Sequence, residues 1–136
     1  TGTWVAVGQL RQSIIESLGM IQDCVIAGLD RKDVRVLVWL RQSEAAALAG
    51  LPTTTSMKDL GASPKILKTL DDRLVAYNST AGGHSRKVSR LLILSEPPSG
   101  LEIADKGYIN QRAVLDGRQA LVDLLYAQNT PLVIAH

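Results

Sequence analysis

Residues 23–40, DCVIAGLDRKDVRVLVWL, contain the pattern that decides the fold. Two apolar runs, residues 23–29 and residues 34–40, are separated by the charged tetrapeptide DRKD. Both runs have the length of a typical strand and are rich in valine, isoleucine and leucine, which favour a pleated and buried backbone. The segment therefore predicts two neighbouring strands, joined as a hairpin, in the middle of a small sheet.

Helical patterns lie on both sides of this pair of strands. Upstream, apolar residues recur at the three- and four-residue spacing of a helix stripe and stop at Gly19, a residue suited to a helix end. The stripe consists of Val7, Leu10, Ile14, Ile15 and Leu18. Downstream, the alanine-rich residues 43–49 predict a short helix that ends at Gly50, and residues 51–62 predict a surface excursion.

The second half of the chain predicts two further helices and a third strand. Ser63 and Pro64 suit the N-cap and the first position of a helix, because proline lacks the N–H that is unpaired there. The apolar stripe of that helix consists of Leu67, Leu70, Leu74 and Tyr77.

Residues 88–94 predict a strand, and Asn110 suits the N-cap of a final helix. That final helix carries Val114, Leu115, Leu121, Leu124 and Leu125.

Together these elements predict an α+β fold, a two-layer sandwich of helices on a small sheet of three to four strands. The length of 136 residues suits a single domain, residues 1–136. The 15 basic and 13 acidic residues alternate along the chain and leave a net charge of +2, which gives no footprint for nucleic acid or an anionic membrane. The longest apolar runs are strand-sized, so we expect no membrane span.

Cysteine and histidine bear on the redox compartment and on metals. Cys24 is the one cysteine of the chain, which excludes an internal disulfide, agrees with a reducing cytoplasm and predicts a small buried hydrophobic residue. His84 and His136 have no further ligands at metal-site spacing, so we expect no bound metal. The glycine-rich residues 82–87, GGHSRK, lack the P-loop spacing and lead into a strand rather than a helix.

The stretch EIADKGYINQR, residues 102–112, resembles the catalytic-lysine loop in the C-terminal domain of AMP-forming acyl-CoA ligases, members of the adenylate-forming superfamily. The continuation NQRAVL and the later DLLYA are similar to the feruloyl-CoA synthase branch of that superfamily, and so is the opening TGTWVAVGQLR. The resemblance covers nearly the whole chain. It implies the small α+β C-terminal domain of such a ligase.

The resemblance implies that Lys106 is the catalytic lysine of adenylation, in which a carboxylic acid and ATP give an acyl adenylate and pyrophosphate. A lysine suits that step because its ammonium is a point charge on a long stem that can contact both the carboxylate and the α-phosphate. Most relatives have Ser/Thr-Gly before the lysine, whereas here Ala104 and Asp105 precede it and Gly107 follows. From the residues alone, the alternative to a catalytic role is that Lys106 is a surface lysine. Arg112 is expected to pair with a carboxylate or to cap a surface.

The resemblance also implies a second site, at the other end of the chain. In this superfamily the C-terminal domain pivots after adenylation, and the segment after the hinge then lines the tunnel for the pantetheine thiol of CoA. Gly2 matches the tunnel glycine and Thr3 and Trp4 are its neighbours, although a turn glycine and a core tryptophan remain alternatives. A third candidate site is the basic cluster of Arg86, Lys87 and Arg90, which could bind the phosphates of CoA. The alternative is that this cluster belongs to a solvated loop.

We therefore expect the mobile C-terminal domain of a larger ATP-dependent acid-CoA ligase, acting with an N-terminal domain outside this chain on an acid such as ferulate. ATP, CoA and Mg²⁺ are implied for the full-length enzyme, with none bound to this domain alone. The isolated fragment is expected to be inactive, and the enzyme to be cytoplasmic. Two alternatives stay open: an adenylation domain that serves a carrier protein, and a non-enzymatic α+β interaction module.

Overall fold

The computed structural model describes the backbone of residues 2–27, 34–80, 88–104, 109–126 and 133–135, and the side chains from residue 8 to residue 126 within these ranges. The helices in chain order are α1 (Gly2–Leu18), α2 (Gln42–Ala49), α3 (Met57–Gly61), α4 (Pro64–Thr80), α5 (Gln111–Gly117) and α6 (Gln119–Tyr126). The strands are β1 (Ile21–Ala27), β2 (Val34–Leu40), β3 (Val88–Ile93) and β4 (Val133–Ala135), and a 3-10 helix, Gly100–Glu102, lies between β3 and α5.

The four described strands form one mixed sheet in the order β1, β2, β3, β4. The pairs β1–β2 and β3–β4 are antiparallel, whereas β2 and β3 are parallel. The strands predicted at residues 23–29, 34–40 and 88–94 are confirmed, and residues 28–33, which join the first two, lie outside the described residues. The predicted central position is wrong for β1, because no described strand pairs with its second side and β1 is therefore at the edge of the sheet.

The strand β2 is apolar on both faces, and helices cover both faces of the sheet. Val36 and Val38 belong to the core that contains side chains of α1, α2 and α4, whereas Leu37 and Trp39 belong to the core beneath α5 and α6. Because side chains alternate along a strand, apolar groups on both faces require two layers of cover. The predicted α+β class, with helices packed on a small sheet, is confirmed. Helices α5 and α6 add a third layer, on the face of the sheet opposite α1, α2 and α4.

Helix α1 follows the apolar stripe expected from the sequence. Its described core residues are Leu10, Ile14 and Leu18, with Ile15 half-buried beside them. The side chain of Val7 lies outside the described residues. As predicted, the helix stops at Gly19, which has a positive φ of 62°. Arg73 of α4 donates a 2.6 Å hydrogen bond to the carbonyl of Leu18 and so pairs an acceptor at the end of the helix.

The middle of the chain differs from the prediction in two details. Helix α4 begins where predicted, with the hydroxyl of Ser63 accepting from the N–H of Ile66 at 3.5 Å. Its buried residues are Ile66, Leu70, Leu74 and Tyr77, whereas Leu67 is only half-buried. The surface excursion predicted for residues 51–62 contains α3, whose Leu60 is fully buried. Ser56 caps this short helix and thereby turns Leu60 toward the core.

The final helical region is divided in two. Asn110 caps α5 as predicted, because its side chain accepts from the N–H of Ala113 at 3.1 Å. The single helix predicted beyond it is wrong, because Arg118 adopts a non-helical conformation, with φ −118° and ψ 39°, between α5 and α6. Gly117 precedes the break, and its low helix propensity favours the interruption. The fully buried residues of the two helices are Val114 and Leu125.

Side chains cover the free edge of β1. The amide of Gln111 in α5 accepts from the N–H of Ile26 at 3.0 Å and donates to the carbonyl of Cys24 at 3.0 Å. The carboxylate of Asp23 accepts from the N–H of Cys24 at 2.8 Å and is held by Arg11 of α1 at 2.7 Å. The beginning of α5 is thereby anchored to the edge strand.

We predict that Gly19→Ala destabilises the protein by about 2 kcal/mol. Roughly half comes from the left-handed backbone, which a Cβ disfavours, and half from loss of a hydrogen bond. The new Cβ would lie 2.6 Å from Nη1 of Arg73, so this flexible side chain must leave the Leu18 carbonyl. Urea denaturation measures the change in the free energy of unfolding.

Gly50→Ala is the matched control, because Gly50 also has a positive φ, 71°, but a Cβ there would meet nothing within 4 Å. We expect it to cost about 1 kcal/mol, from the backbone alone. Equal losses in the two variants would show that the contact between Arg73 and the end of α1 adds no stability.

Candidate functional site

The predicted catalytic lysine, Lys106, lies outside the described residues, together with the rest of residues 105–108. These four residues are called the lysine segment below. The residues that flank it are described, and Ile103 pairs with Ile109 in an isolated antiparallel bridge. Ile109 packs, half-buried, on the core beneath α5 and α6. The chain therefore leaves and rejoins the described fold at adjacent points on that face, in a short paired stem.

Glu102 anchors the first side of the stem. Its carbonyl accepts from the N–H of Asn110 at 2.8 Å across the stem, and its buried carboxylate accepts from the N–H of Ser99 at 2.8 Å. Arg118 binds both carboxylate oxygens, from Nε to Oε2 at 2.8 Å and from Nη2 to Oε1 at 2.9 Å. The hydrogen bond from Arg118 lowers the pKa of Glu102 to about 2, against the effect of burial, and the same contact raises the pKa of Arg118.

Arg118 also holds the turn that leads from β3 to the stem. Its Nη1 donates to the carbonyl of Glu96 at 3.2 Å, and its Nη2 donates to the carbonyl of Pro97 at 2.9 Å. The guanidinium carbon lies 5.4 Å from the ring centroid of Trp39, whose indole N–H donates to the same Glu96 carbonyl at 2.7 Å. We call this set, which links the stem to the central strand β2, the Arg118 cluster: Trp39, Glu96, Pro97, Glu102 and Arg118.

The second side of the stem is anchored to the edge strand β1. Ile109 and Asn110 lead directly into α5, and Gln111 makes the two hydrogen bonds to β1 described above. The stem is thus attached to the sheet through Trp39 of β2 on one side and through Gln111 on the other. Such attachment to strands makes a site more precise than attachment to other loops.

The helix that carries the N-terminal motif, α1, packs on a different face of the sheet from the stem. Gly2, Thr3 and Trp4 are in the first turn of α1, and their side chains lie outside the described residues, so their predicted contact with CoA stays a prediction. Helix α1 packs against the sheet on the same face as α4, whereas Ile109 packs on the opposite face. The elements that carry the two predicted sites are therefore separated by the sheet rather than joined in one cleft.

Residues 1–130 match the family model of the AMP-binding enzyme C-terminal domain. The chain belongs to this family. No curated protein and no solved structure matches the chain. Membership confirms the adenylate-forming superfamily and the C-terminal domain assignment, whereas the branch within the superfamily stays a prediction.

Arg90 belongs to the basic cluster that was a candidate for binding the phosphates of CoA, and in the structure its side chain bonds to the domain itself. Arg90 of β3 donates to the carbonyl of Leu125 at 3.1 Å, and Arg35 of β2 donates to the same carbonyl at 2.8 Å. Both guanidinium groups thus pair an acceptor at the C-terminal end of α6, where positive charge is favourable. The other two members, Arg86 and Lys87, lie outside the described residues.

Some of the residues to which the metal and membrane-span predictions apply lie outside the described residues. His84 and His136 are both outside them, as are residues 82–87. Within the described ranges, no three Cys, His, Asp or Glu side chains are grouped so that they could hold a metal ion. No helix in the same ranges is long and apolar enough to cross a membrane.

Two predictions about single side chains of the domain are confirmed. Cys24 is buried in the core. Burial raises the pKa of its thiol to about 12, with the carboxylate of Asp23 adding to the rise and Arg11 opposing it, so the nucleophilic thiolate is disfavoured. Arg112 pairs with a carboxylate as expected, because its Nε lies 3.5 Å from Oδ2 of Asp116 on the exposed side of α5.

Glu102 and Arg118 are site residues that the sequence patterns did not reveal. One local signal for Glu102 was present, because residues 99–102 have the Ser-x-x-Glu spacing of a helix capping box. No such signal marks Arg118, since its partners Glu96 and Glu102 precede it by 22 and 16 positions. Its role follows from the tertiary fold alone.

The ion pair of Glu102 predicts a dependence of stability on pH. The folded-state pKa of Glu102 is lowered from 4.5 to about 2, so the carboxylate stabilises the fold fully above about pH 4.5 and this contribution is lost as the pH falls toward 2. Glu102→Gln should therefore cost on the order of 3 kcal/mol at pH 7, and the difference from wild type should shrink below pH 4.5. Urea denaturation at pH 7, 4 and 3 measures it.

Asp116→Asn supplies the comparison, because its pair with Arg112 is exposed and should be worth less than about 1 kcal/mol at every pH. A Glu102→Gln deficit that stays constant from pH 7 to pH 3 would contradict the assigned role of the ionised carboxylate.

Proposed function

We propose that this domain supplies Lys106 to the adenylation step of an ATP-dependent acid-CoA ligase. The observation that carries the proposal is the match of residues 1–130 to the AMP-binding enzyme C-terminal domain. Lys106 is the lysine of the stretch that resembles the catalytic-lysine loop of this superfamily, and the described stem ends on either side of its segment. Both observations support the assignment of this one lysine.

The chemistry of adenylation calls for a cation at this point. A carboxylate oxygen of the acid attacks the α-phosphorus of ATP, and a new phosphorus–oxygen bond forms. The bond from the α-phosphorus to the bridging oxygen breaks, and pyrophosphate leaves with the electron pair. Two anions approach one another, so the ammonium of Lys106 lowers the barrier by contacting the carboxylate and the α-phosphate together.

For the second half-reaction we assign Gly2, Thr3 and Trp4 to the tunnel that admits the pantetheine arm of CoA. The thiol sulfur attacks the acyl carbon of the adenylate, the bond from that carbon to the phosphate oxygen breaks, AMP leaves and the thiol proton passes to solvent. The position of α1 and the stem on opposite faces of the sheet supports an alternation between two orientations of the domain. One orientation would turn Lys106 toward the acid and ATP, and the other would turn the start of α1 toward the acyl adenylate.

The partner in both steps is an N-terminal domain of the same polypeptide, which binds most of ATP and the acid. We assign the Mg²⁺ that accompanies ATP to the partner domain as well, because the resemblance implies that most of the nucleotide contacts lie there. The isolated domain is therefore inactive. Ferulate or a related aryl acid is our choice of substrate, on the resemblance of TGTWVAVGQLR and NQRAVL to one branch. The cytoplasm is our choice of location, because the single cysteine, Cys24, agrees with a reducing compartment.

Lys106→Ala in the full-length enzyme is predicted to lower ATP–pyrophosphate exchange by about 100-fold or more, since it removes the cation at the transition state. Thioester formation from chemically supplied acyl adenylate should change little, because that step does not use the lysine. We expect the free energy of unfolding to change by no more than about 0.5 kcal/mol.

Lys68→Ala is the control, because Lys68 lies on the exposed side of α4 and pairs with Asp72 at 3.3 Å. It should leave both half-reactions at the wild-type rate. Normal exchange in the Lys106 variant, or equal loss of both half-reactions in a folded protein, would refute the proposed function.

Gly2→Leu is predicted to have the complementary effect in the full-length enzyme. A side chain at this position narrows the proposed tunnel, so thioester formation should slow while ATP–pyrophosphate exchange stays near the wild-type rate. Single-turnover assays of the two half-reactions measure the split. Equal loss of both would point instead to a defect in folding or in the hinge.

A further inference from the structure

The contacts of the Arg118 cluster fix the positions of its residues more than they stabilise the fold. Glu102 and Arg118 have side chains only 7% and 10% exposed, and a buried ion pair recovers little more than the free energy lost by taking both charges out of water. The bidentate contact instead fixes the direction in which the Glu102 carboxylate and its backbone extend.

The cluster also ties together three parts of the chain that meet at the stem. Arg118 contacts the carbonyls of Glu96 and Pro97 before the 3-10 helix and the carboxylate of Glu102 at its end. Glu102 in turn accepts from the N–H of Asn110 across the stem. A change at Arg118 therefore releases the first side of the stem, at Glu102, while Gln111 still holds the second side on β1.

We propose that Arg118 is a positioning residue for Lys106, and that it acts by holding Glu102 at the base of the stem. The inference rests on the proposed function. Glu102 is four residues from Lys106 in sequence, so a displacement of this base shifts the origin of the lysine segment. Displacement of a catalytic group by about 1 Å can lower a rate by about 100-fold.

The arrangement requires arginine rather than any cation. Nε and Nη2 bind the two oxygens of Glu102 in parallel, while Nη1 and Nη2 reach the two carbonyls. Lysine has a single ammonium on a flexible stem and cannot reproduce this planar fork. The guanidinium carbon lies 5.4 Å from the ring centroid of Trp39, within the range of a cation–π contact. Arg118→Lys therefore keeps the charge and removes the geometry.

The test uses the full-length enzyme that contains this domain, with Arg118→Lys and, as a second route to the same defect, Glu102→Gln. Each should lower the kcat of ATP–pyrophosphate exchange by about 10- to 100-fold, with little change in the KM for ATP. Thioester formation from supplied acyl adenylate should stay within about twofold of wild type, because Lys106 takes no part in it. Exchange at the wild-type rate in both folded variants would overturn the proposal.

Arg73→Lys is the matched control for destabilisation. Arg73 also makes a partly buried hydrogen bond, to the carbonyl of Leu18 at 2.6 Å, but it lies on α4, which packs on the face of the sheet opposite the stem. It should lower stability without a selective effect on exchange. Selective loss of exchange in this variant too would show that general destabilisation, rather than the position of the stem, controls adenylation.

A double variant decides whether Arg118 acts through the lysine. If it does, Lys106→Ala with Arg118→Lys should have the exchange rate of Lys106→Ala alone, since no lysine is left to position. Multiplied losses would assign Arg118 an independent role and overturn the proposal. If Lys106→Ala abolishes exchange and Arg118→Lys leaves it at the wild-type rate, only the positioning role of Arg118 fails. If Lys106→Ala keeps exchange at the wild-type rate, the proposed function itself fails.

Discussion

The arrangement of this domain depends on burying strand β2 on both faces of the sheet. Leu37 and Trp39 lie on one face and Val36 and Val38 on the other, and burial of an apolar side chain of this kind contributes about 2 kcal/mol. One layer of helices leaves half of these side chains in water. Because α1 and α4 cover one face, α5 and α6 must cover the other, and the stem of the lysine segment is built where the chain crosses to reach it.

The sequence predicts an element well where a local signal marks its end. Gly19 and Gly50 stop helices and Asn110 starts one, since positive φ and side-chain capping act over a few residues. The order of the strands has no such signal. The second neighbour of β2 is β3, which lies far from it in the chain, and no described strand pairs with the other side of β1. The break at Arg118 likewise depends on distant partners.

The same division between local and distant information applies to the site. Lys106 could be proposed from its neighbours in sequence, because a resemblance to a known loop is a local property of the chain. The supports could not, because Trp39, Glu102 and Arg118 come from β2, the 3-10 helix and the junction of α5 with α6.

The bonds that Gln111 and Asp23 make with β1 have a consequence for self-association. An uncovered edge strand is a template on which a strand of another molecule can add, as in domain swapping and amyloid growth. Here the N–H and carbonyl of Cys24 and the N–H of Ile26 are already occupied by side chains. A second chain can pair with β1 only after displacing Gln111, which starts α5. Intermolecular strand addition at this edge is therefore linked to release of the helix on which the stem rests.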